Sequence, residues 1–165
     1  MKHILPILTL TTLAAAASAQ AAAPAGLSYN RVGLGYNTDS KGYSLTASAL
    51  IGGSNFLVEA SSTIGGNSTV NGNDSISLGY VFKNVANGID ATVALASDEA
   101  YTINLRKDLG NSLEVAASFG RNSADNNVWG AELAYNVSKQ IQLAVGYSDE
   151  QGQASTTDIS VRYNF

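Results

Sequence analysis

Three arginines and three glutamates are each isolated among small and apolar residues, which makes them the first candidates for chemistry in this chain. The six are Arg31, Glu59, Arg106, Glu114, Glu132 and Arg162. Guanidinium and carboxylate groups that share a buried site must pair, because an unpaired buried charge costs several kcal/mol. Such a set can form a balanced salt-bridge network that locks neighbouring elements together. It can also form a polar constriction through which solutes pass.

The chain lacks the side chains on which most catalytic and metal sites depend. It has no Cys, and its one His is His3. His3 lies in the opening stretch MKHILPILTLTTLAAAASAQ, which combines a basic start, an apolar core and the small-residue pattern Ala17-Ser18-Ala19. This pattern predicts a secretory signal peptide over residues 1–19. After cleavage the chain has neither imidazole nor thiol, so we expect no enzymatic activity, no metal and no cofactor.

The charge balance argues against one class of partner. Loss of Lys2 with the signal peptide leaves eight basic residues against thirteen acidic ones, a net charge of −5. A chain this acidic, without a basic stripe, is not expected to bind nucleic acid.

Residues 20–26 are predicted to be a short N-terminal segment, followed by a single domain over residues 27–165.

From Leu27 onward, apolar and polar residues alternate in short runs that break at Gly, Asn, Ser or Asp. This pattern is typical of β-strands separated by turns. Two kinds of break alternate along the chain: one is longer and acidic, and the other is short. The longest acidic loop is Ser148–Thr157. Successive connections are therefore expected at opposite ends of an antiparallel up-and-down meander. Ten strands are predicted, with eight as the alternative count: residues 30–36, 43–51, 56–63, 75–82, 89–96, 101–106, 112–120, 128–136, 141–147 and 157–165.

The apolar face of each strand is free of charge, and its aromatic residues lie near the strand ends. Those near the acidic breaks are Tyr36, Tyr43, Tyr101, Phe119, Trp129 and Tyr147. Those near the short breaks are Phe56, Tyr80, Phe82, Tyr135, Tyr163 and Phe165. A soluble core would place its largest rings in the middle, whereas two aromatic bands around an aliphatic one are typical of a membrane-spanning sheet. Tyr29 does not follow this alternation and is expected to precede the first strand.

Backbone groups in lipid must all be paired, so the sheet is expected to close into a transmembrane β-barrel. The polar faces, with their six charges, would then line the lumen. In the closed sheet Arg31 and Arg162 lie on adjacent strands, as do Arg106 and Glu114.

Together these features resemble the small bacterial outer-membrane β-barrels, the broad group that includes the OmpA transmembrane domain and the OmpX-like proteins. The closing strand ends in VRYNF, where Val161, Tyr163 and Phe165 match the pattern that such barrels present to the outer-membrane assembly machinery. The resemblance implies a monomer in the Gram-negative outer membrane, in contact with its lipids and lipopolysaccharide. It also implies that the short turns face the periplasm and the acidic loops face outward.

Three functions are compatible with such a barrel. The sequence favours a mainly structural role in the envelope, with a polar lumen closed by paired charges. The first alternative is a narrow porin-like channel for small solutes, in which the same charges line the passage. The second is surface recognition or adhesion through the short acidic loops.

Overall fold

A computed structural model of the chain describes residues 27–65 and 74–165. These residues form ten strands: β1 (Arg31–Asn37), β2 (Tyr43–Leu50), β3 (Phe56–Ile64), β4 (Ser75–Ala86), β5 (Ile89–Ala96), β6 (Tyr101–Gly110), β7 (Leu113–Arg121), β8 (Asn127–Asn136), β9 (Ile141–Glu150) and β10 (Thr156–Asn164). All neighbours are antiparallel, and β1 pairs with both β2 and β10, so the sheet closes into a barrel. The prediction of a closed ten-strand barrel is confirmed, and the alternative count of eight is wrong. The predicted signal peptide and residues 20–26 lie outside the described residues.

The two ends of the barrel differ in their connections. We call the end that holds the β1–β2, β3–β4, β5–β6, β7–β8 and β9–β10 connections the loop end, and the opposite end, where β1 begins and β10 ends, the turn end. At the turn end, Asn87 and Gly88 alone connect β4 to β5. Both have positive φ, 48° and 76°. Two such residues form a hairpin turn whose twist matches that of the flanking strands.

Three strands run at least three residues further than the alternation predicts. β4 continues to Ala86 and β6 to Gly110, past irregularities in register after Phe82 and after Asp108. A bulge adds a residue without ending the ladder, but it breaks the strict alternation by which the sequence reveals a strand. β9 continues to Glu150, so the predicted Ser148–Thr157 loop is reduced to residues 151–155.

The apolar faces of the strands point away from the barrel axis. Leu34, Leu78 and Leu133 on these faces are each about half exposed, at 56%, 53% and 47%. The polar side chains of Ser48 and Thr92, on the opposite faces, are buried. A soluble barrel would have the reverse arrangement, so this one presents its apolar surface to lipid. Among residues 27–65 and 74–165, no helix is long and apolar enough to cross a bilayer.

The aromatic residues of the outer surface lie in two bands. At the loop end, ring centroids are 5.2 Å apart in Tyr36–Tyr43 and 5.4 Å apart in Trp129–Tyr147. At the turn end, Tyr80 contacts both Phe56 and Phe82, and Tyr163 stacks on Phe165. Tyr101, Phe119 and Tyr135 are exposed on the same outer faces. The structure therefore places the predicted girdle residues at the two ends of an aliphatic band, where amphipathic rings meet the membrane interfaces.

Candidate functional site

The barrel lumen contains the six charges that the sequence singled out, and two of them form a buried ion pair near the turn end. Arg106 Nε on β6 donates to Glu114 Oε1 on β7 at 2.7 Å, and Nη2 lies 2.7 Å from the same oxygen. Their side chains are only 5% and 4% exposed. Register pairs Asp108 with Glu114 and Arg106 with Ala116, so the ion pair is diagonal across neighbouring strands. Arg106 and Glu114, which the strand order placed on adjacent strands, are therefore in direct contact.

A second ion pair crosses a strand. Arg162 on β10 donates from Nη1 and Nη2 to the two carboxylate oxygens of Glu132 on β8, with a distance of 2.6 Å from Nη1 to Oε1. β9 lies between these strands in the sheet. A two-pronged contact of this kind fixes both side chains in orientation as well as in charge. Four of the six predicted lumen charges are thus paired.

Gln142 of β9 connects the two ion pairs. Its Nε2 donates to Glu114 Oε2 at 3.0 Å, and its Oε1 accepts a 3.3 Å hydrogen bond from Arg162. Nε2 also donates to Asn136 Oδ1 at 3.0 Å. The Gln142 side chain is 2% exposed. A continuous polar network therefore runs from β6 through β7 and β9 to β10 and β8, and it depends on a neutral residue that the charge pattern did not reveal.

The four residues before β1, Leu27–Asn30, enter the lumen; we call them the lumen segment. The Tyr29 hydroxyl donates to Asp90 Oδ2 at 2.8 Å, and the Arg106 guanidinium lies 4.7 Å from the centre of the Tyr29 ring. Arg106 Nη1 also donates to the Ser28 carbonyl at 2.9 Å. Burial, together with the hydrogen bond to Asp90, raises the pKa of the Tyr29 phenol.

Apolar side chains complete this end of the lumen. Leu57 of β3 and Val81 of β4 project inward and pack with the Tyr29 ring, and Leu27 and Leu50 flank them. We call the following six residues the turn-end plug: Tyr29, Leu57, Val81, Arg106, Glu114 and Gln142. None of them is more than 6% exposed. Side chains that lined an open bore would be accessible to water, so the plug fills the lumen at this level.

The remaining two predicted lumen charges are not part of the network. Arg31 Nη1 is buried without a hydrogen-bond partner. Neither Arg31 nor Glu59 forms an ion pair within residues 27–65 and 74–165. Asp158, also on an inward face, is likewise outside any ion pair in the part of the chain that the structure describes. One cation and two anions of the lumen therefore lack an ion-pair partner among the described residues.

These unpaired charges border three cavities on the loop side of the plug. The cavities have volumes of about 240, 160 and 240 Å³, and Arg31 borders all three. Glu59 borders the first and third, and Asp158 the second. The first extends from Tyr29 to Asp98 in the β5–β6 connection at the loop end. Each has room for several water molecules, because one water occupies about 30 Å³ in the liquid.

The cavities have a polar lining. Within the described ranges, no group of three or more His, Cys, Asp or Glu side chains converges on one point. The first cavity is lined largely by hydroxyl and amide side chains, including Ser75, Ser77, Thr92 and Asn104. Hydroxyls and amides can both donate and accept hydrogen bonds, so this lining can bond to donors and acceptors alike.

Three lumen features were not predicted from the sequence. Gln142 is neutral, and its position on the polar face of β9 was the only signal of its role. Leu57 and Val81 are apolar residues on otherwise polar faces, an irregularity that could have indicated contact inside the barrel. Tyr29 was expected before the first strand, which is correct, but nothing in its local sequence showed that it turns inward.

Comparisons with known proteins show the fold. No family model matches the chain, and no curated protein is similar to it. Among solved structures, "KdgM porin" is 13% identical with a TM-score of 0.51, and the match covers 82% of this chain and 99% of that one. A second structure, "KdgM porin in complex with disordered oligogalacturonate", has the same identity and coverage and a TM-score of 0.52. A NanC porin is 11% identical over 82% of this chain and 98% of its own, with a TM-score of 0.45.

The two KdgM porin structures share the β-barrel fold of this chain. The predicted resemblance to the OmpA/OmpX-like group is not confirmed. At this level of identity the likeness concerns the barrel itself, so function must be argued from the lumen of this chain.

Proposed function

We propose that this chain is an outer-membrane, porin-like channel for small polar solutes. The observation on which this rests is the set of lumen cavities bordered by Arg31, a cation that forms no ion pair among the described residues. A channel role, predicted as the first alternative, replaces the mainly structural role as the preferred interpretation.

A purely structural lumen would be filled and its charges paired. That is true of the turn-end plug, but not of the region on its loop side. There Arg31, Glu59 and Asp158 keep charges without ion-pair partners among the described residues. Each such charge has a desolvation cost unless water or a solute reaches it. A wet passage explains why these three charges can persist, whereas a packed structural core does not.

The unpaired lumen charges include both signs, so they do not select for anions or cations alone. Arg31 attracts anions, while Glu59 attracts cations, and both border the first and third cavities. They lie on the same wall, because Arg31 of β1 and Glu59 of β3 are both in register with Ser48 of β2. Charges of both signs beside one passage orient dipolar solutes and exclude neither sign of ion completely. We therefore propose small polar and zwitterionic solutes as the class that passes.

Surface recognition is the less favoured alternative. The connection between β9 and β10 is shorter than the sequence suggested, because β9 continues to Glu150. Residues 151–155 offer a small surface for a partner. The acidic loop end is better explained as the outward face of a barrel whose turn end faces the periplasm.

The experiment is a measurement of single-channel conductance and ion selectivity in planar bilayers. Arg31→Gln and Glu59→Gln each remove one charge, so we expect reversal potentials to shift in opposite directions, toward cations and toward anions respectively. Arg121→Gln is the matched control, because Arg121 is exposed outside the lumen and pairs with Asp125. Absence of conductance steps in all variants, or equal selectivity in the two lumen variants, would contradict the proposal.

A further inference from the structure

The lumen segment spans the barrel from one wall to the other. At one side the Tyr29 carbonyl accepts a 2.8 Å hydrogen bond from Ser48 Oγ on β2. At the other, the Tyr29 hydroxyl reaches Asp90 on β5 and the Ser28 carbonyl reaches Arg106 on β6. β6 is the strand opposite β1 in a closed ring of ten. The segment therefore lies across the bore.

Neither Tyr29 nor Arg106 could close such a barrel alone. Ten strands tilted by about 40° enclose a backbone cylinder with a radius of about 10 Å. Tyr29 extends from the β1 side and Arg106 from the opposite wall, and they meet face to face at 4.7 Å. Leu57 and Val81 fill the space beside the ring. The packing of the lumen at this level thus depends on a residue that lies outside the sheet.

The barrel does not require the lumen segment for closure. β1 begins at Arg31, which is already in register with Asn164 of β10 and Ser48 of β2. Leu27, Ser28 and Tyr29 have no strand partner and are held by side-chain contacts and hydrogen bonds from the wall. These residues can leave the lumen while the ladder of β1 remains intact.

Asn30 marks the point at which such a movement would begin. Its carbonyl accepts a 3.0 Å hydrogen bond from the Phe165 backbone, and its side-chain Oδ1 accepts one of 2.9 Å from the Leu50 backbone. Asn30 is therefore fixed to both β10 and β2 at the rim. In the described residues before it, the Ser28 and Tyr29 carbonyls accept hydrogen bonds from the wall through the side chains of Arg106 and Ser48. Asn30 therefore separates the anchored strand from the residues that only side chains hold.

We propose that residues Leu27–Tyr29 form the constriction of the channel, and that solutes pass the turn end only when these residues leave the lumen. This inference rests on the proposed channel function. Tyr29 is its positioning residue: its hydroxyl holds the segment to Asp90, and its ring occupies the bore beside Arg106. The largest solute that can pass is then set by Leu27–Tyr29 rather than by the barrel wall.

The test compares three variants by single-channel recording in planar bilayers. Tyr29→Ala removes both the ring and the hydroxyl, so we expect a several-fold larger time-averaged conductance than in the unaltered protein, because the channel is open for more of the time. Tyr29→Phe removes only the hydrogen bond to Asp90, so we expect more frequent openings with an unchanged fully open level. Tyr101→Ala is the matched control, because Tyr101 lies on the outer face and should leave conductance unchanged. Heat-modifiable migration on gels establishes that each barrel has folded.

The outcomes separate this inference from the function on which it rests. If the unaltered protein conducts and Arg31→Gln changes its selectivity, the channel function stands. Equal conductance and opening frequency in Tyr29→Ala, Tyr29→Phe and the unaltered protein would then overturn the constriction alone. If folded Tyr29→Ala and the unaltered protein both fail to conduct, the channel function and the constriction are both wrong. If Tyr29→Ala does not fold, the opening frequency of Tyr29→Phe decides in its place.

Discussion

The Tyr29 hydroxyl donates a 2.8 Å hydrogen bond to Asp90 Oδ2, joining residues 61 positions apart across the interior of the barrel. Asp90 also accepts a 2.8 Å hydrogen bond from the Asn84 backbone through its other oxygen. This second bond orients the carboxylate independently of Tyr29. A preorganised, charged acceptor makes the stronger kind of hydrogen bond.

We expect this bond to appear as coupling in a double-mutant cycle. Tyr29→Phe and Asp90→Asn should each destabilise the barrel, and their effects should be non-additive by about 1.5–3 kcal/mol, the usual range for a hydrogen bond to a charged group. Urea unfolding in lipid vesicles, followed by the fluorescence of Trp129, the one tryptophan, measures each free energy. Additive effects would show that the contact contributes nothing to stability.

The buried Arg106–Glu114 pair should be far more important for stability than the exposed Arg121–Asp125 pair. Glu114→Gln leaves a guanidinium with 5% exposure uncompensated, which we expect to cost about 3–5 kcal/mol. Asp125→Asn breaks a pair whose side chains are 43% and 80% exposed, and it should cost about 0–1 kcal/mol. The same urea titration compares the two variants. Equal losses would mean that Arg106 is adequately held by Ser28 and Tyr29 without its carboxylate.

Strand number, strand direction and the two faces of the barrel could be predicted from the sequence for a physical reason. A lipid-facing strand must alternate strictly, and Leu133, Tyr135 and Trp129 keep that alternation through β8. Where a bulge relaxes the alternation, as after Phe82 and Asp108, the predicted strands ended too early.

The lumen was less predictable because its contacts depend on tertiary geometry. Arg106 and Glu114 lie on neighbouring strands, so their proximity followed from the strand order. The Arg162–Glu132 pair crosses β9, and strand order alone does not show which carboxylate a long arginine side chain will reach. The inward turn of Tyr29 depends on partners on β5 and β6, which no local pattern contains.

The outer face should tolerate charge only near its edges. Leu133 is paired with Val115 and Val145 in the aliphatic band, whereas Leu95 lies one residue from the loop end of β5. Leu133→Arg should destabilise the barrel by about 2–4 kcal/mol, and Leu95→Arg by about 0–1 kcal/mol. Urea unfolding in vesicles gives both values. An equal cost at the two positions would mean that the aliphatic band does not face the hydrocarbon core.

The last residue should matter more for assembly in the cell than for stability. Phe165 follows β10, its backbone donates to the Asn30 carbonyl at 3.0 Å, and its ring centroid lies 6.4 Å from that of Tyr163. Phe165→Ala retains the backbone bond and loses only a ring at the lipid interface, so refolding in vesicles should be nearly unchanged. If Val161, Tyr163 and Phe165 are read by the assembly machinery, the same variant should accumulate much less folded barrel in outer membranes. Phe119→Ala, which removes an outward ring at the loop end, is the control and should assemble normally. Equal amounts of the two variants in outer-membrane fractions would show that the terminal ring is not an assembly signal.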